Sequence, residues 1–288
     1  MKKKRLILVL LLIALTLCAC GAKDTEENPS GAGEVTSTDA LEGNSQLELF
    51  SNESCALTLE SVGTAANGDY FWTVSMANKT GSELVFSLDG VYVNECEADP
   101  CWAEKAPAAQ TTTSEISWFS SAFAERGIRS ADRVDFTLSV FPRSNTANLL
   151  AFEKITVYPN GAAAYQRTDF APDADDTILI DVPELILAAT DCDPNGERGY
   201  TLGVYMENRS NGPLEYAVKN EKINGQSCST YWVHTLDAGK KSYDQIIWDS
   251  SEFERMEIFA VSRIEFDLVV TDPNSNAKVL EQHCVVTP

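Results

Sequence analysis

Histidine is scarce in this sequence: His234 and His283 are the only two among 288 residues. Hydrolysis by an activated serine or cysteine needs nucleophile, base and orienting group at one site. The two histidines stand in unlike positions, and no spacing suggests such a set. Cations are short as well, with Lys+Arg 22 against Asp+Glu 43 and a net charge of −21. That surface repels nucleic acid and anionic polymers and favours solubility, so no nucleic-acid partner is expected. Long apolar runs are also missing. The stretch from Leu6 to Leu17 falls short of the roughly 20 residues a helix needs to cross a bilayer. Zinc would need cysteine and histidine clustered at ligand spacing, and Cys96-x4-Cys101 stands alone. No cofactor is expected.

What is present begins at the amino terminus. Lys2, Lys3, Lys4 and Arg5 precede the apolar stretch, which ends in Leu17-Cys18-Ala19-Cys20-Gly21. A basic head, a short apolar middle and a small-residue end describe a secretory signal peptide, residues 1–19. Its end resembles a bacterial lipobox, which implies that the Cys20 thiol receives a diacylglyceryl group and becomes the first residue after cleavage. Cys18 fits less well, because bulky Leu17 directly precedes it. Each buried methylene adds about 0.8 kcal/mol, so two or three acyl chains hold a protein to a membrane. The expected location is the outer face of the cell membrane, with the lipid as the membrane contact. Residues 20–45, rich in Glu, Asp, Ser, Thr, Gly and Asn, have little to bury and are expected to form a disordered tether.

Sliding the chain against itself by 130 positions aligns Val74 with Val204, Asn78 with Asn208, Asn94 with Asn224, Trp102 with Trp232, Trp118 with Trp248 and Phe136 with Phe266. A period of this length exceeds solenoid and propeller units, so each copy should be a whole domain with its own core. Within each copy apolar residues alternate, as in Phe136-Thr137-Leu138-Ser139-Val140 and Phe266-Asp267-Leu268-Val269-Val270. This is the pattern of strands with one face on a core. Ser120-Ser121-Ala122-Phe123 and Ser250-Ser251-Glu252-Phe253 read as serine-capped helical turns. The expected class is all-β: two tandem immunoglobulin-like β-sandwich domains, each with one short helical turn. The boundaries are residues 46–159 and 176–288, with a linker over 160–175.

The phrases Asn-Lys-Thr-Gly, Leu-Val-Phe, Val-Tyr-Val-Asn-Glu and Ile-Ser-Trp-Phe-Ser-Ser resemble the immunoglobulin-like (telokin-like) repeats of lipoproteins from Gram-positive bacteria. The resemblance covers most of both copies and implies a fold and a location. It implies no catalytic residue, and Cys96, Cys101 and Cys228 depart from it.

The remaining candidates are few. Asp191-Cys192-Asp193-Pro194-Asn195-Gly196 has the alternating oxygens of a calcium loop through Asp191, Asp193 and Asn195, but its twelfth position is Leu202 where a carboxylate belongs. A hairpin turn is the preferred reading. Cys96 and Cys101 are the preferred disulfide of six cysteines beyond Cys20. Trp72, Trp118 and Trp248 read as core, whereas Trp102 and Trp232, in loop regions, are the candidate binding surface. These observations point to a non-enzymatic binding or interaction module of the cell envelope, its partner a protein or glycan. The alternatives are a structural spacer or accessory subunit and, less favoured, an extracellular hydrolase using acidic residues.

Overall fold

The computed structural model describes the backbone of Val35–Ser37 and residues 46–288 in full; Cys20 and the signal lie outside the described residues. The first half comprises β1 (Val35–Ser37), β2 (Leu47–Ser51), β3 (Cys55–Thr64), β4 (Tyr70–Asn78), β5 (Leu84–Val93), β6 (Cys96–Glu97), β7 (Ala103–Ala106), β8 (Thr111–Trp118), α1 (Ser120–Glu125), β9 (Val134–Pro142) and β10 (Ala151–Val157). The second comprises β11 (Thr177–Val182), β12 (Leu185–Gly196), β13 (Gly199–Asn208), β14 (Leu214–Ile223), β15 (Gln226–Ser227), β16 (Val233–Leu236), β17 (Lys241–Asp249), α2 (Ser250–Arg255), β18 (Ile264–Asp272) and β19 (Ala277–Val286). Elements β11 to β19 therefore follow the order of β2 to β10. Among the described residues no helix is long and apolar enough to cross a membrane.

The chain is all-β and sandwich-like, as the alternating pattern predicts. In the first half β2-β3-β4-β8 form one sheet, and β10-β9-β5 with β7 form the other. Without β2, that order is the Greek key of an immunoglobulin-like sandwich. The second half pairs β11-β12-β13-β17 in one sheet and β19-β18-β14, with β15 and β16, in the other. Alternate residues supply the cores. Leu57, Trp72, Val74 and Ile116 meet Phe86, Leu138 and Ile155 in the first; Leu202, Val204 and Ile246 meet Tyr216, Phe266 and Leu268 in the second. Trp72, Trp118 and Trp248 are core residues.

Two asparagines pin matching turns. Asn78 Nδ2 donates to the carbonyls of Ser82 and Ala106 while its Oδ1 accepts from Thr80. Asn208 does the same with Gly212, Leu236 and Ser210. The helical turns depart from expectation. Their N-caps are Phe119 and Asp249 and neither makes a side-chain cap bond. Ser120 instead lies inside α1, its N–H donating to Asp69 Oδ1 of the preceding hairpin.

The tether expectation needs a correction at one point. Val35–Ser37 is a strand, parallel to β10 and paired with Ile155, Thr156 and Val157. A sheet edge presents unpaired backbone groups, and a short extended segment satisfies them.

The two halves share a sheet. β17 pairs in parallel with β6 at Lys241 and Cys96, with the Lys241 N–H donating to the Glu95 carbonyl at 2.8 Å. A ten-stranded sheet thus runs through both sandwiches. The connecting segment lies along this junction as a strap. Tyr165 donates to the Glu95 carboxylate, Arg167 bonds Glu207 at 2.9 Å, and Phe170 stacks on Tyr205 with centroids 4.0 Å apart.

Candidate functional site

The junction concentrates the charged chemistry of the described residues. Asp135, on β9, sits between two cations: Oδ2 accepts from Lys240 Nζ at 2.7 Å, and Oδ1 accepts from Arg133 Nη2 at 2.9 Å and Thr156 Oγ1 at 2.6 Å. Burial raises the Asp135 pKa, but Lys240, Thr156 and Arg133 together hold it below the usual carboxylate value. Lys240 also stands over the Tyr92 ring. These groups line a cleft of about 450 Å³ between the outer face of β5, β9 and β10 and the turns before β14 and β17.

Glu95 is the strained member of the cluster. It follows Asn94 in the hairpin between β5 and β6, and both have left-handed φ values, 50° and 64°. Such a turn favours Asn-Gly. The second half has that sequence at Asn224-Gly225, with φ 52° and 81°. Glu95 is 4% exposed; Oε1 meets Arg133 and Tyr165, and Oε2 has no partner among the described residues.

A second cluster lies on the same junction. His234, on β16, places Nε2 3.0 Å from Glu97 Oε2 of β6 and Nδ1 3.1 Å from Asp244 Oδ2 of β17. The Nε2 contact is a charge pair lying off the ideal hydrogen-bond line. Ser242 Oγ donates to Glu97 Oε2 at 2.7 Å, and Trp232 Nε1 to Asp244 Oδ2 at 2.8 Å. Burial opposes charge on His234, but its bond to Asp244 and its charge pair with Glu97 prevail and push its pKa up to about 9. Against burial, the same contacts hold Glu97 and Asp244 below their usual values. One imidazolium therefore ties a carboxylate of each sandwich.

The expected site residues fall elsewhere. Trp102 and Trp232 are not a surface: each is 7% exposed and belongs to a core. Their indoles need both apolar cover and a partner for the N–H, and Ser114 and Asp244 provide the latter. Among the described residues the exposed aromatics are Phe119, Phe152, Tyr231 and Phe259. The expected Cys96–Cys101 bridge is not formed, and all six cysteines among the described residues are free. Cys96 faces the first core from β6, whereas Cys101 is exposed on a left-handed backbone. Asp191 and Asp193 are residues of β12 paired with Gly203 and Thr201, and Asp193 Oδ1 accepts the Asn195 N–H. The stretch is a hairpin rather than a calcium loop.

Sequence reading missed the junction because its residues come from distant segments. Two signals existed: Glu95 where the other copy has Gly225, and His234 where the other has Glu104. Both break the repeat.

No protein-family profile matches the chain, and neither does any curated protein sequence. Among solved structures it is similar to the Salmonella enterica SafA pilin in complex with the SafB chaperone, at 13% identity over 82% of this chain and 98% of that one, TM-score 0.24. It is also similar to red sea bream transglutaminase, at 9% identity over 79% and 31%, TM-score 0.24. A third is a Porphyromonas gingivalis W83 protein of unknown function, at 12% identity over 77% and 94%, TM-score 0.20.

Proposed function

We propose that the protein is a lipid-anchored, extracellular interaction module of the cell envelope, a tandem repeat of one sandwich domain that works without catalysis. The lipobox pattern around Cys20 supports the anchor. Correspondence between β2–β10 and β11–β19 supports duplication of a domain. One observation carries the interaction role: the ten-stranded sheet and its buried ion pairs couple the two sandwiches. A display arm must present its surfaces in fixed relation, and a shared sheet achieves this more firmly than a flexible linker does.

The anchor is tested by Cys20→Ala in cells. The variant should leave the membrane fraction and appear in the medium, whereas retention in the membrane rules against lipidation. Chemical crosslinking on intact cells followed by capture of the full chain tests the interaction role. Recovery of an envelope protein or glycan supports it, and turnover in a screen of glycan and peptide substrates would overturn the non-catalytic reading.

A further inference from the structure

The contact that joins the sandwiches uses two surfaces, and each has an unused counterpart. On the acceptor side β6 receives β17. Its counterpart β15 pairs only with β14 among the described residues, and both its residues are exposed. On the donor side the counterpart of β17 is β8, an edge strand paired only with β4 among the described residues. The turns that shape the acceptor match: Asn94-Glu95 before β6 and Asn224-Gly225 before β15 are both left-handed. The concavity matches too. A hollow of about 550 Å³ on the second sandwich is lined by Asn220, Lys222, Asp267 and His283, the register counterparts of Gly90, Tyr92, Thr137 and Lys154 in the occupied cleft.

We propose that this open face receives the first sandwich of a second copy of the chain, with β8 of the incoming copy lying beside β15 as β17 lies beside β6. Thr111 then takes the place of Lys241 and Gln226 that of Cys96. The charge pattern supports this occupant. In the internal contact His234 meets Glu97; at the copy-to-copy contact Glu104 meets Ser227, and Lys222 is paired with Ser227 in the β14–β15 register. Glu104 carries the charge opposite to that of His234, while the neutral Ser227 replaces Glu97 and Lys222, the counterpart of Tyr92, supplies the cation beside it. Thr112, counterpart of the Ser242 that donates across the junction, carries a buried hydroxyl with no partner among the described residues.

Donor and acceptor are different surfaces, so the contact is heterologous and leaves one of each free at the ends of a row. It is also weaker than the internal contact. Ser75 stands in β4 where Tyr205 takes the stacked Phe170 in β13, so no aromatic strap seals it. Self-association should therefore build up where copies are concentrated.

The test uses full-length chains in a Cys101→Ser background, because Cys101 is the exposed thiol among the described residues. Thr111→Cys and Gln226→Cys chains are treated with a short bismaleimide, alone and mixed. A covalent dimer should form at least about fivefold more in the mixture than in either chain alone, and a chain carrying both substitutions should give a ladder beyond dimer. Lys222→Glu should suppress the dimer, and Glu104→Lys on the partner should restore it. Equal crosslinking of the single variants alone, or a ladder insensitive to Lys222→Glu, would overturn the proposal.

Discussion

His234 Nε2 of β16 stands 3.0 Å from Glu97 Oε2 of β6, and this pair clasps the second sandwich to the first. Because Asp244 holds the other ring nitrogen, the imidazole bridges two acids that would otherwise repel within a partly buried junction.

The first prediction follows from that bridge. His234 has its pKa raised from 6.5 to about 9 in the folded chain, so its contribution is complete below pH 6.5 and is lost as pH rises through 9. Glu97 and Asp244 are depressed from 4.5 and 3.8, so their contribution is present above those values and is lost in acid. The thermal midpoint should be highest between about pH 5 and 6.5. The alkaline decline should be worth on the order of 3 kcal/mol and should be largely removed in His234→Gln. A midpoint flat from pH 6 to 9 in the unmodified chain would count against the clasp.

Asp135 gives a second. Its carboxylate neutralises Lys240, whose side chain is 13% exposed, so Asp135→Ala leaves a buried ammonium without its partner. Removing one member of such a pair costs about 3–5 kcal/mol. Lys240→Met should cost less, because Asp135 keeps Arg133 and Thr156. Urea denaturation of both single variants and the double variant gives the coupling. Additive losses would mean the pair does not act as one.

The buried tryptophans give a third. Trp102→Ala and Trp232→Ala should each lower unfolding free energy by about 3–5 kcal/mol through the cavity they leave. Trp232→Ala should also weaken the clasp by releasing Asp244, visible as a smaller alkaline decline than in Trp102→Ala. Variants with unchanged denaturation midpoints would restore the surface reading.

The fold was legible because its determinants are local. Alternation at Phe136, Leu138 and Val140, and again at Phe266, Leu268 and Val270, fixes which strand face is buried, and the structure places all six in cores. The junction was not legible, since Asp135 and Lys240 are 105 residues apart and no local pattern distinguishes a charge that will be buried. The burial of Trp102 escapes the local sequence for a related reason. Residues around it are loop-like, but burial of a loop residue depends on what the loop folds over. Likewise β1 forms at an edge of β10 that composition of the tether does not reveal.

The last prediction tests why Glu95 is tolerated in a glycine-favouring position. A non-glycine residue in left-handed backbone costs roughly 1–2 kcal/mol, and Glu95 adds an unpartnered buried oxygen. Against that it holds Tyr165 and Arg133, each bond being worth about 0.5–1.5 kcal/mol net, more where a charge is involved. Glu95→Gly should leave global unfolding within about 1 kcal/mol of the parent, because relief of the turn offsets the lost bonds. The loss should surface locally instead. With Tyr165 released, backbone amides of Gln166 to Asp169 should exchange with solvent about tenfold faster while β5 and β9 stay protected. Unchanged exchange in the strap would mean that Glu95 does not hold it, and the strain at this turn would then lack a structural return.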